Sequence, residues 1–144
     1  MPELGVIPPV ARSLAQWHRM IDANDLSDLE SMVHPDAVFR SPMAHTPYVS
    51  RPAVVLIINS VLKVFKDFVY YRTLASADGK SVVLEFSATV NGKKLKGIDL
   101  ITFNDEGLIT EFEVMVRPFS ALQELGGEMS KLVKDKIPQY KGKL

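Results

Sequence analysis

Apolar residues recur along the chain with two periods, and the change between them divides it into a helical half and a strand half. In the first half, Leu14, Trp17, His18 and Ile21 fall at helical spacing and predict an amphipathic helix over about 10–23. Asn24 and Asp25 interrupt it. Asp25 is placed to cap a second, short helix whose Leu26, Leu29, Met32 and Val33 form one apolar stripe, until His34-Pro35 ends it. A brief strand, AVFRS, and a loop, PMAHTPYVS, follow. Ser50 and Pro52 read as the N-cap and first-turn proline of a third helix through VVLIINSVLKVF, which is apolar around much of its girth and so expected to be buried.

From Phe68 onward the period becomes two. Four strands are predicted, separated by ADGK, NG and NDEG, the turn chemistry of antiparallel hairpins. Ser120, with Gln123 three residues on, resembles a capping box for a last helix carrying Leu122, Leu125, Met129, Leu132 and Val133. Gly126 and Gly127 inside it each cost about 1 kcal/mol relative to alanine, so a bend or an early end is expected there.

This order is that of an α+β fold: one curved antiparallel sheet with helices packed on its inner face. A single domain over 1–144 is expected, with a Pro-rich arm at 1–9 and a tail at 136–144. Val82, Leu84, Phe86, Ala88 and Val90 give one strand a dry face, as do Phe112, Val114 and Val116 another. The opposite face is mixed. Because Val83, Ile109 and Met115 are assigned to it, a covering partner is expected, most economically a second copy of the same sheet in a homodimer.

Composition narrows the function classes. Seventeen basic residues balance seventeen acidic ones, which argues against nucleic acid or an anionic membrane surface as the main partner. Cysteine is absent, so no disulfide framework, thiolate nucleophile or thiolate metal site is available. The start MPELGVIPPV lacks the basic residues and apolar run of a signal peptide, and no segment reads as a membrane span. A soluble cytoplasmic protein is the expectation. Three histidines at irregular separations make no recognisable metal-ligand pattern, and no Gly-rich phosphate loop is present; neither metal nor cofactor is expected.

The stretch WHRMIDANDLSDLESMVHPDAVFRSP, then a capped helix, then GIDLITFNDEGLITEFEVMVRP, resembles the nuclear transport factor 2-like superfamily over about residues 10–125. Its members include ketosteroid isomerases, scytalone dehydratases, limonene-epoxide hydrolases and SnoaL-like polyketide cyclases, and the SnoaL-like domains are the nearest group. The resemblance implies a cone-shaped α+β fold around a deep apolar pocket, often dimeric through the sheet. It also implies a small hydrophobic ligand, and a cofactor-independent isomerase, cyclase or dehydratase acting on a carbonyl compound, or else a non-catalytic binding or dimerisation module.

Asp99 is the first candidate for chemistry. Buried among the aliphatic side chains of GIDLITF, its carboxyl would pay a large desolvation cost on ionising and could serve as acid or base near neutral pH. Ketosteroid isomerase and the polyketide cyclases carry such an acid in the region that GIDLITF resembles. The alternative is that Asp99 faces the mixed side and pairs with a cation, and strand alternation leaves both open.

Other family positions depart. The isomerase general base matches Ser41 and the oxyanion tyrosine matches Trp17, which argues against steroid isomerisation; Val114 stands where epoxide hydrolases carry an aspartate. His45, on the loop after the first strand, is a candidate acid or base. Trp17, Ser41, Tyr48, Phe86, Phe112 and Val114 are the candidate substrate-binding residues. His34 is read as a helix-end residue, and His18 as lining the pocket or pairing at the surface.

Overall fold

The computed structural model describes residues 4–136. Six strands form one open sheet in the order β2-β1-β6-β5-β4-β3, with three helices completing an α+β arrangement. The elements are α1 (Pro8–Ala23), β1 (Val33–Arg40), β2 (Tyr48–Val49), α2 (Arg51–Val64), β3 (Lys66–Ala75), β4 (Ser81–Val90), β5 (Lys93–Phe103), β6 (Ile109–Arg117) and α3 (Phe119–Val133). All neighbours are antiparallel except β1 and β6, which run parallel. That pair joins the first half of the chain to the meander.

The predicted dry face is the core. Val82, Leu84, Phe86, Ala88 and Val90 of β4 are buried together with Leu95, Ile101 and Phe103 of β5 and Phe112 and Val114 of β6. Val10, Leu14, Trp17 and Met20 of α1, spaced for one helix face, belong to the same cluster, as do Val54, Ile57 and Ile58 of α2 and Leu125 of α3. Ahead of α1 the chain is a strap: Leu4, Val6 and Ile7 pack on the core, and the Ile7 N–H donates to the Gly79 carbonyl at 3.1 Å. Residues 1–3 of the expected arm, and the expected tail beyond Lys136, lie outside the described residues.

Several local expectations are corrected. The second helix is only a 3-10 turn, Leu29–Met32, and Val33 to Ala37 belong to β1. His34-Pro35 therefore ends no helix. Pro35 has no N–H to give, and it sits where the β1–β6 ladder slips between Val33 and Val38, so the irregular stretch removes it from the pairing. His34 Nδ1 accepts the Asp36 N–H at 3.0 Å within that stretch. Ile109 is core rather than outer face, because a bulge between Thr102 and Phe103 brings it opposite Phe103. The Ser120–Gln123 capping box is not formed: α3 starts at Phe119 after Pro118, with no side-chain cap. Ser50 holds the cap position of α2 but its hydroxyl caps nothing.

Nor do the paired glycines end α3, which continues to Val133. Gly126 has a packing reason: a Cβ there would come within 2.5 Å of Met43 Cε, so the missing side chain makes a notch for Met43 on the helix. Among the described residues no helix is long and apolar enough to cross a membrane.

Candidate functional site

Asp99 lies on the dry face. The two-residue Asn91-Gly92 turn places Val90 opposite Lys93, and counting back along both strands sets Leu84 opposite Asp99 and Phe86 opposite Gly97. Directly opposed residues share a face, so Asp99 points inward with Leu84. Across β6 its partner is Val114. Gly97 fits because a Cβ there would come within 2.6 Å of both Phe86 Cζ and the Met115 carbonyl oxygen.

Only 6% of Asp99 is exposed, and burial pushes its carboxyl up to about 7, while the hydrogen bond from Tyr70 pulls the other way. The Tyr70 hydroxyl donates to Asp99 Oδ2 at 2.6 Å and accepts from Trp17 Nε1 at 3.1 Å. Trp17, Tyr70 and Asp99 thus form a directed relay from α1 through β3 to β5. Indole nitrogen only donates, which commits the tyrosine proton to the carboxylate. Burial first, then the Asp99 charge beside it, holds the Tyr70 hydroxyl well above its ordinary range, so it stays protonated.

The other oxygen, Oδ1, has no hydrogen-bond partner among the described residues, yet no side-chain oxygen or nitrogen there is both buried and unsatisfied. Oδ1 is therefore open to the small cavity that Asp99 lines, about 20 Å³ in volume. When Asp99 is neutral, Tyr70 occupies Oδ2 and the proton on Oδ1 is the one free to meet a ligand.

Trp17, Tyr70, Phe112 and Val114 share this cavity with Phe39, Val61 and Phe68. A larger cavity of about 260 Å³ adjoins it, walled by Ser41, Met43, Tyr48, Ile57, Leu125 and Met129 among others. Phe39, Val61 and Val114 line both. Neither cavity has a carboxylate in its wall other than Asp99. Ser41 Oγ is turned to its own loop, accepting the Met43 N–H at 3.0 Å. Burial raises the Tyr48 hydroxyl.

The expected residues are thus distributed unevenly. Asp99, Trp17, Phe112 and Val114 meet at the small cavity, and Ser41 and Tyr48 line the larger one. Phe86 is fully buried behind them, its ring 5.0 Å from that of Phe68, and it lines neither. His45 is exposed on the loop between β1 and β2 and lines neither. His18 sits edge-on to the Tyr70 ring at 5.4 Å, and burial, partly opposed by Asp22, lowers its pKa. Among the described residues no cluster of three or more histidines and carboxylates could hold a metal ion.

Tyr70 is the residue that sequence reasoning missed. Phe68 and Tyr70 alternate with Val69 and Tyr71, and Tyr70 pairs with Phe86 on the dry face, so the signal was a hydroxyl carried into an apolar row.

Comparison with known proteins agrees with this architecture. A steroid delta-isomerase from Pseudomonas aeruginosa is 56% identical, with a TM-score of 0.90, covering 94% of this chain and 99% of that one. An uncharacterized protein with a cystatin-like fold from Silicibacter pomeroyi is 28% identical, with a TM-score of 0.78, covering 89% and 91%. The epoxide hydrolase/cyclase-like enzyme SalBIII, of pyran ring formation in salinomycin, shares the fold at 21% identity and a TM-score of 0.62, covering 77% and 92%. No curated protein matches the chain. The profile of the SnoaL-like domain matches residues 14–112, and the chain belongs to the SnoaL-like domain family.

Proposed function

We propose that the protein is a cofactor-independent isomerase or cyclase that acts on a small hydrophobic carbonyl compound, with Asp99 as its acid/base group. The observation that carries this reading is a carboxyl buried in the core, the one such group among the described residues, whose free oxygen opens on a cavity; burial pushes it up to about 7. Near neutral pH such a group is divided between its two forms, so it can donate a proton to a carbonyl oxygen or take one from the adjacent carbon. The relay from Trp17 through Tyr70 holds the carboxyl in one orientation, and the apolar walls keep its field unscreened. The Pseudomonas aeruginosa isomerase favours the same reaction class, and a steroid with a migratable double bond belongs among the compounds tested.

A second reading is favoured by one observation. Ser41 supplies no second base, and its hydroxyl is engaged with its own loop. A binding module would use the same cavity without turnover. Asp99→Asn separates the two: the variant should still be stabilised thermally by hydrophobic ketones, while turnover falls by at least about a hundredfold. Ketones that raise the melting temperature of the unaltered protein but are never consumed would establish the binding module instead.

We further propose a homodimer through the outer face of the sheet. Val69, Tyr71, Leu74 and Met115 are all close to half exposed there, beside the Arg72–Glu85 ion pair. Sedimentation should give a dimer for the unaltered chain and a monomer for Tyr71→Asp with Leu74→Asp. A monomeric unaltered chain would refute it.

A further inference from the structure

Asp99 and the space large enough for a ligand body are in different compartments. The cavity at Asp99 measures about 20 Å³, room for about one water. The neighbouring cavity measures about 260 Å³ and has no carboxylate in its wall. Phe39 from β1, Val61 from α2 and Val114 from β6 line both, and so form the partition between them. Val114 is also the cross-strand partner of Asp99, so its side chain stands beside the carboxyl on the same face.

We infer that Val114 is the specificity-determining residue of the site. It admits a single projecting carbonyl oxygen to the water-sized space at Asp99 Oδ1 while the apolar body of the ligand stays in the larger cavity. This inference rests on the proposed use of Asp99 toward a carbonyl compound and adds the class selected: apolar ketones or aldehydes with no quaternary carbon beside the carbonyl. A carbonyl flanked by a quaternary carbon meets the Val114 methyls before its oxygen reaches Oδ1. A carboxylate is disfavoured as well, since it brings a second oxygen and a negative charge into an apolar space beside Asp99.

The probes are cyclohex-2-enone and 6,6-dimethylcyclohex-2-enone, and the readouts are melting temperature and the carbon-13 signal of the Asp99 carboxyl in protein labelled at aspartate. Melting temperature reports any binding, whereas the carboxyl signal reports arrival at Asp99. In the unaltered protein both ketones should raise the melting temperature. The unhindered one should perturb the Asp99 signal at a concentration roughly tenfold or more below that needed by the hindered one. Val114→Ala should bring the two within about threefold, and Val114→Ile should weaken the response to both while the thermal shift persists. Val61→Ala opens the partition from α2 instead of the sheet, and should narrow the same gap if Val114→Ala fails to fold.

Equal responses to both ketones in the unaltered protein would overturn the inference. So would an unchanged gap in the variants that fold. Absence of any thermal shift or carboxyl response with either ketone would instead overturn the carbonyl-ligand reading on which it rests.

Discussion

Asp99→Asn is expected to make the protein more stable at and above neutral pH and to leave it unchanged in acid. A carboxyl held near 7 in the folded chain binds a proton that the unfolded chain, with an ordinary carboxylate, has already released. Stability supplied by the neutral acid is complete below about pH 4 and is lost progressively as pH rises toward 7, at up to about 1.4 kcal/mol per pH unit. Asparagine has the same shape, can still accept the Tyr70 O–H, and carries no charge to bury. The two stability curves should therefore coincide near pH 4, separate above it, and run parallel again above about 7, with a gap on the order of a few kcal/mol. Urea denaturation at several pH values measures this directly. Comparing the two proteins removes the contribution of His18, whose protonation is common to both. Curves that stay parallel from pH 4 to 8 would show that Asp99 is not a buried proton-binding group.

That inward placement is legible in the chain from strand register rather than from alternation within the strand. Alternation within GIDLITF is uninformative because Ile98 and Leu100 are as apolar as Ile101 and Phe103. Register is informative: the Asn91-Gly92 turn is long enough for only one close pairing, and the face of Asp99 then follows from that of Leu84. The same count explains why Gly97 lies under Phe86. The meander and the helix faces were readable for the same reason, since both depend on local periods and short turns.

What could not be read depends on contacts that no turn specifies. The parallel pairing of β1 with β6 joins residues such as Phe39 and Phe112, and it is this crossing that pulls the His34-Pro35 segment into a strand. Two register slips in β3 hide Tyr70 from a simple count, and a further bulge turns Ile109 inward. His45 lies in a connection without a period, so its direction was undetermined. The two-compartment cavity is a product of β1, α2 and β6 meeting, which is tertiary information throughout.

Tyr70→Phe should cost about 2–4 kcal/mol and also move the titration of Asp99 upward. Removing one hydroxyl leaves two groups without their partner: the Trp17 Nε1–H, in a residue only 2% exposed, and Asp99 Oδ2. Each buried polar group left unsatisfied costs about 1–3 kcal/mol, partly relieved if a water enters the space vacated. The second effect has a definite sign. The Tyr70 hydrogen bond favours the carboxylate and opposes the upward push of burial, so without it the folded-state pKa rises above its present value near 7. Stability then goes on falling with pH beyond the point where the unaltered protein levels off. If turnover depends on Asp99, the midpoint of its pH dependence should shift upward with it, whereas a purely structural role would lower stability and leave that midpoint in place. Combining Tyr70→Phe with Asp99→Asn supplies the control: the upward shift must vanish because no carboxyl remains, while the cost of stranding Trp17 Nε1 persists. A Tyr70→Phe protein with unchanged stability and an unchanged midpoint would mean that the hydroxyl joins neither group, and the relay would have to be abandoned.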